Sequence, residues 1–320
     1  DSCRERLERV PLILKRFRQS VLAAAMTGKL TEDWRETDST VASAQSLANA
    51  LKQAHIAAGG HKRGNAAAPT DGVHALMKSM FPAEWELVEL RDLVSPDRPI
   101  TYGILKPGPD QADGVPYVRV ADYPKNCLQT TGLRRTSKAI DEEFSRSRLR
   151  AGDLLLSIRG TVGRVIEVPE ELTGGNITQD SARLSLQPLV ERQYVRFYLS
   201  CELAQSRMQL AVKGVAVRGI NIGDVRALQI PLPPLEEQRE IVRRVKGLLD
   251  LADSIERRCE VPLRAVSQLG GSILAKAFRG ELVPQDPSDE PASELLKRIR
   301  TEDLDKSPKK AARKEKALAR

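Results

Sequence analysis

The chain has 320 residues, 41% hydrophobic and 4% aromatic, with 51 Lys and Arg against 43 Asp and Glu for a formal net charge of +8. That length can bury a sizeable core, no apolar run reaches the roughly 18 residues of a membrane-spanning helix, and the N-terminus Asp1-Ser2-Cys3-Arg4-Glu5-Arg6 is too charged for a signal peptide. Cys3, Cys127, Cys201 and Cys259 are scattered without a Cys-x-x-Cys pair, which argues against a zinc site or disulfide framework and fits reduced thiols in the cytoplasm.

Residues 1 to 30 predict a helix, because Leu7, Val10, Leu14, Phe17, Val21, Ala24 and Gly28 recur at three- and four-residue spacing. Its last part recurs 252 positions later: Ser20, Leu22, Ala23, Ala25, Gly28 and Leu30 match Ser272, Leu274, Ala275, Ala277, Gly280 and Leu282. Two copies of one helical element therefore bracket an unrelated middle. The chain lacks an initiating Met and begins inside the repeat unit, so an upstream region is expected. Residues 37–80 are rich in Ala, Ser and Gly and read as a linker or insertion, with a helical patch over Val41 to Ala58. His55, His61 and His74 all lie here and are expected to be solvated rather than metal-bound.

From Phe81 short strands and turns take over. Strands are predicted at Trp85 to Leu90, Val115 to Val120, Asp153 to Ile158, Arg164 to Val168 and Ala182 to Leu186, separated by Gly and Pro clusters. Glu191 to Val212 predicts one amphipathic helix, and Leu228 to Leu232 a closing strand. Pro233 and Pro234 then set the entry to a second long helix, with Glu236, Glu237 and Glu240 in its first turns. Ile241, Val245, Leu248, Ala252, Ile255, Cys259, Val266, Leu269 and Ile273 keep the helical rhythm. Pro262 is expected to interrupt this helix as Pro11 does the first. The predicted architecture is an α/β (α+β) domain over 81–234, flanked by two long helices, 1–36 and 235–283, that form an antiparallel coiled coil. Residues 284–320 read as a charged flexible tail.

The charge is unevenly placed. Lys306 to Arg320 holds seven basic residues, Lys309, Lys310, Arg313, Lys314 and Lys316 among them, and one acidic residue, whereas Phe81 to Leu235 holds 20 basic and 19 acidic. Sixteen of those 20 are Arg, the side chain suited to bidentate contacts with phosphates and guanine edges.

Catalytic signatures do not hold. Gly28-Lys29 is followed by Leu30 and lacks the earlier glycine of a phosphate-binding loop. Pro96-Asp97 begins like a nuclease motif, but Ile104-Leu105-Lys106 lacks its carboxylate. Gly-x-Ser-x-Gly is absent, and three linker histidines make a Ser–His or Cys–His pair a poor expectation. The chain is expected to be non-catalytic.

The run Ile230-Pro231-Leu232-Pro233-Pro234-Leu235-Glu236-Glu237-Gln238, followed by Ile241-Val242, is very similar to a segment of type I restriction–modification specificity subunits. The repeated Ser-x-Leu-Ala-x-Ala-x-x-Gly-x-Leu resembles the ends of the two long helices in those subunits. Three further segments resemble parts of a target recognition domain: Tyr117 to Asp122, Gly152 to Gly160 and Asn176 to Asp180. The resemblance covers residues 1 to 35 and 81 to 283. One recognition domain, one full helix and the later part of another agree with a C-terminal half, and residues 37–80 have no counterpart in the pattern.

The resemblance implies a subunit that reads one half of a split site in double-stranded DNA and scaffolds methyltransferase subunits and a restriction–translocation subunit. No cofactor is implied for this chain; S-adenosylmethionine, ATP and magnesium are expected in the partner subunits. Candidate DNA-contacting residues are Thr101, Tyr102 and Lys106; Arg119; Arg159 and Thr161; Asn176, Thr178 and Gln179; and Lys213, Arg218 and Asn221. Candidate coiled-coil and partner positions are Leu14, Phe17, Val21, Ile241, Val245, Leu248, Ile255, Val266 and Ile273. A rival reading, supported by the near-neutral middle, is a coiled-coil adaptor whose α/β domain binds a protein.

Overall fold

The computed structural model describes residues 2–37, 43–59, 71–212, 218–284, 288 and 290–301. His61, Lys213 and the basic tail from Lys306 lie outside the described residues, as do the side chains of His74 and Val266. In chain order the elements are α1 (Ser2–Met26), α2 (Glu32–Thr37), α3 (Ala44–Ala57), α4 (Asp71–Lys78), β1 (Glu86–Glu89), α5 (Leu90–Leu93), β2 (Thr101–Tyr102), β3 (Val115–Val118), β4 (Arg135–Thr136), α6 (Lys138–Glu143), β5 (Leu154–Ser157), β6 (Val165–Glu167), β7 (Asn176–Ile177), β8 (Ser181–Leu184), α7 (Arg192–Ser200), α8 (Glu202–Leu210), α9 (Ile222–Arg226), β9 (Gln229–Leu232) and α10 (Leu235–Phe278). The class is mixed helix and sheet. The chain divides into two compact units, one spanning Arg9–Arg257 and the other Asp1–Glu8 with Arg258–Arg320.

Within the larger unit the central sheet runs in the order β2-β8-β5-β6, all antiparallel. The uninterrupted Leu154-Leu155-Leu156 of β5 is buried on both faces, as a run without polar alternation requires. Leu154 and Leu156 join the main core with Trp85, Tyr194, Tyr198 and Ile230. Leu155 turns to a second core with Val118, Tyr123, Ile166 and Ile177. Over that face lies a small sheet, β4-β3-β7, in which β3 and β7 are parallel. A third pair, β1 with β9, brings the start and end of the domain together. Tyr194 and Tyr198 latch α7 onto β9, their hydroxyls donating to the carbonyls of Pro231 at 2.6 Å and Gln229 at 2.9 Å.

Three expectations are corrected. The Ala-rich stretch is more than a linker: α3 buries Ala44, Ala48 and Leu51, Met77 of α4 joins the same core, and His55 is half-buried rather than solvated. Its apolar residues at four- and three-residue steps supply one helical face. The helix expected over Glu191 to Val212 breaks at Cys201, whose extended backbone (φ −75°, ψ 156°) ends α7 and starts α8. Pro11 and Pro262 do not end their helices. Both are exposed, so the carbonyls freed by the missing N–H groups can turn to water.

Leu14, Val21, Ile241 and Val245 are buried and Phe17 and Leu248 half-buried, but Ile255 and Ile273 are exposed. Among the described side chains, the seam expected along α10 is therefore covered as far as Ala252 and is exposed at Ile255 and Ile273. Arg18 pairs with Asp253 and Glu256, each at 2.6 Å, and Arg244 with Asp33 at 2.6 Å. In the smaller unit Leu269, Ile273, Leu274 and Phe278 are exposed along the end of α10, and residues 292–301 are helical.

The corner where α2 meets the start of α10 is a polar part of the core. Glu237, 1% exposed, accepts from Thr31 Oγ1 at 2.7 Å, from the Trp85 indole at 2.8 Å and from Arg35. Arg35 also donates to the Gly28 carbonyl at 2.7 Å and stands 6.0 Å from the centre of the Trp85 ring. Gly28 has φ +77°, and a Cβ there would fall 2.4 Å from Pro82 Cγ. The glycine of the repeated motif thus meets both a left-handed turn and a tight contact.

One turn further along α10, Glu240 accepts from Arg243 and from Arg244, and these bonds, Arg243's foremost, hold its carboxyl down to about 2. A depressed folded-state value gives stability that is full above the ordinary 4.5 and is lost as pH falls toward 2. Solvent screening keeps the contribution below about 1 kcal/mol. Glu240→Gln is accordingly expected to lower the urea midpoint slightly at neutral pH, with the gap from wild type closing near pH 2.

Candidate nucleic-acid interface

Four chain segments leave the sheets at one end and are stitched there, together with residues 218–220 ahead of α9, by backbone hydrogen bonds. Ile104, just past β2, donates to Ile177 at 2.7 Å and accepts from Gln179 at 2.9 Å. Ile158, just past β5, donates to Asp180 at 2.8 Å and accepts from Ile220 at 2.8 Å. Thr178, past β7, donates to Val118 at the end of β3 at 3.2 Å, and Gly160 donates to Arg218 at 3.2 Å. The result is a rigid frame for short loops, the arrangement on which binding residues are commonly carried.

Two glycines allow this crowding. A Cβ on Gly103 would lie 1.9 Å from the Ile177 carbonyl oxygen. One on Gly219 would lie 2.8 Å from the Ile158 oxygen and 3.0 Å from Arg159 Cγ.

The structure gathers most of the sequence-predicted residues at this end. Tyr102 is 44% exposed, Lys106, Arg159, Thr161, Arg218 and Asn221 are exposed, and Thr101 and Gln179 are half-buried. Arg159 donates from Nη1 to Gln179 Oε1 at 2.6 Å. Arg119 is also here, but its Nε and Nη2 donate to the Asp122 carboxylate at 3.1 and 2.6 Å. That contact raises its guanidinium above the ordinary value and makes it the cap of the turn after β3.

Asn176 and Thr178 are placed differently. Asn176 is fully buried: its Oδ1 accepts from Ser147 Oγ at 2.6 Å and from the Ile177 N–H at 2.9 Å, while its Nδ2 donates to Asp141 Oδ1 at 2.8 Å. Its side chain is spent inside the domain. Thr178 is 6% exposed and serves through its backbone.

Sequence reasoning missed Arg164, which donates to the Val120 carbonyl at 3.2 Å and ties the β5–β6 turn to the turn after β3. It also missed Arg183, 1% exposed behind the frame, where burial pulls its guanidinium down to about 10. Arg183 bonds the carbonyls of Pro99 at 3.2 Å and Arg146 at 3.0 Å, steadying the approach to β2. Arg164 stands just before β6 and Arg183 within β8, with no local signal to separate them from solvent-facing arginines.

Among the described residues no group of three or more His, Cys, Asp and Glu could hold a metal ion, and no helix is long and apolar enough to cross a membrane. The chemistry of this end is hydrogen-bond donation: a cluster of Arg, Lys, Tyr, Asn and Thr on a fixed backbone.

Residues 82–260 match the type I restriction modification DNA specificity domain family. The chain is 36% identical over 323 residues to the type I restriction enzyme EcoBI specificity subunit of Escherichia coli, covering 98% of this chain and 62% of that protein. It is 30% identical to the EcoKI specificity subunit of Escherichia coli strain K12, covering 98% and 61%. The chain thus spans about three-fifths of the length of these curated relatives. Among solved structures it resembles the HsdS subunit from Thermoanaerobacter tengcongensis, at 22% identity and a TM-score of 0.43 over 81% of this chain and 58% of that one.

Proposed function

The chain belongs to the type I restriction–modification DNA specificity family, and on that premise we propose that it is a non-catalytic reader of one half of a split site in double-stranded DNA. The observation that carries the reading is the convergence of exposed Tyr102, Lys106, Arg159, Arg218 and Asn221 on one stitched edge of the recognition domain. Donors on a rigid α/β frame can both grip phosphates and reach base edges.

The long helices take the role of spacer and grip. Arg18 of α1 pairs with Asp253 and Asp33 of α2 with Arg244, so the N-terminal helices advance as α10 retreats, which supports an antiparallel course. Methyltransferase subunits and a restriction–translocation subunit would hold this rod. S-adenosylmethionine, ATP and magnesium would act in those partners, and the methylated base would be flipped out of the duplex there.

The test is purification of the full chain with its cognate methyltransferase subunit, followed by binding to duplex DNA across a salt series. A steep negative log–log slope, about −0.9 per phosphate contacted, is expected. Arg218→Ala should weaken binding to all sequences alike and flatten the slope by about one. Salt-insensitive association, or none, would favour the protein-binding adaptor. Exchange of residues 81 to 230 for another recognition domain should change the half-site read.

A further inference from the structure

We infer that Arg159 is the guanine-reading residue of this edge and that Gln179 is its positioning residue; the inference rests on the DNA-reading function proposed above. Several arginines in this domain are spent on carboxylates. Arg98 places Nη1 and Nη2 on Asp153 at 2.9 and 3.0 Å, Arg119 places Nε and Nη2 on Asp122, and Arg148 divides its donors between Asp141 and Glu142. Each of these guanidinium forks faces carboxylate and carries a neutralised charge.

Arg159 differs in three respects. It is exposed at the proposed reading edge, and among the described residues it makes no ion pair. Its described side-chain partner is the neutral Gln179 amide, bonded through Nη1 alone. A guanidinium has five N–H donors, so the Nε–Nη2 side keeps the two parallel donors that match guanine O6 and N7. The positive charge, which the phosphate field attracts, is kept as well.

The pair is also held in place before any ligand arrives. Arg159 bridges Gly219 across the sheet edge, and its N–H donates to Asp180 at 3.2 Å. The absence of a Cβ at Gly219 lets the Arg159 stem lie flush against it. Gln179 is fixed through its own N–H to Ile104. A flexible side chain is thereby confined to one direction, outward, with its plane set by Gln179. Arg218, exposed beside it, has no such brace among the described residues and suits phosphate contact.

The experiment incubates the full chain, assembled with its methyltransferase subunit, with a pool of randomised duplexes and sequences the retained fraction. Wild type should enrich one half-site with a fixed guanine. Arg159→Lys keeps the charge but loses the fork, and should cut the guanine preference at that one position by about ten- to a hundredfold, leaving other positions unchanged. Gln179→Met keeps the volume without the acceptor and should weaken the same preference. Gln179→Glu places a carboxylate against the guanidinium, as at Arg98 and Arg119, and should lower both the preference and overall binding. A selective wild type whose every preference survives Arg159→Lys overturns the inference and leaves the DNA-reading function standing, as does a loss spread evenly over the half-site. A wild-type complex that enriches no sequence overturns both.

Discussion

Glu237→Ala is expected to destabilise the protein by about 3 kcal/mol, read as a fall in the urea midpoint with an unchanged slope. The carboxylate is buried and serves three donors that come from distant parts of the chain: Thr31, Arg35 and the Trp85 indole. Its removal leaves the indole N–H and the threonine hydroxyl without their acceptor in a dry site, and unpairs the Arg35 guanidinium. Loss of one member of a buried pair typically costs about 3–5 kcal/mol. The lower end applies because Arg35 is 20% exposed and keeps its bond to the Gly28 carbonyl. Glu237→Gln preserves shape and one acceptor and should cost about 1–2 kcal/mol. A loss below about 1 kcal/mol for the alanine variant would mean that the corner relaxes and that apolar packing of Trp85, Phe81 and Tyr194 holds it without the charge. The same corner joins the repeated helix end, the recognition domain and the start of α10, so its loss should also loosen the geometry between helices and reading edge.

How much of this could be read from the sequence depends on how far apart the interacting residues lie. The run Asp153 to Ile158 announced a strand, and the Pro233-Pro234 entry announced α10, because those signals are local. Strands of two residues, β2, β4 and β7, have no alternation to display; they exist because longer neighbours pair with them. Asn176 carried the look of a polar loop residue. It is buried because Ser147 and Asp141, 29 and 35 residues away, come to meet it. Arg119 looked like a free donor, yet Asp122 lies three residues on and the short helical turn between them turns the pair inward. The helix over Val41 to Ala58 was legible, but nothing local to it showed that its Ala44, Ala48 and Leu51 face would be buried. Arg159 and Gln179 were separately visible as candidates; their pairing across 20 residues was not.

Gly103→Ala is expected to cost about 3 kcal/mol and to abolish selective DNA binding, the two effects sharing one cause. The added methyl would sit 1.9 Å from the Ile177 oxygen, 2.5 Å from its carbonyl carbon and 2.6 Å from its Cγ1. Ile177 cannot give way easily: its side chain is fully buried, and its strand is paired in parallel with β3 at Val118. The segment after β2 must move instead. Overpacking of this kind costs about 1–3 kcal/mol, and the Ile104 to Ile177 and Gln179 to Ile104 bonds, worth about 0.5–1.5 kcal/mol each, would go with it. Displacing Ile104 also frees Gln179, which then no longer sets the plane of Arg159, and it carries Tyr102 and Lys106 away from the other donors. Gly247→Ala in α10 provides the contrast. The new methyl there meets nothing within 4 Å, and removing a glycine from a helix interior should stabilise by about 0.5–1 kcal/mol. Urea unfolding of both variants, alongside duplex selection for Gly103→Ala, separates a steric wedge at the reading edge from a general intolerance of side chains at glycine. Equal stability of the Gly103 variant and wild type would show that the ends of β2 and β7 are loosely joined, and that the frame supposed to hold Arg159 is not rigid.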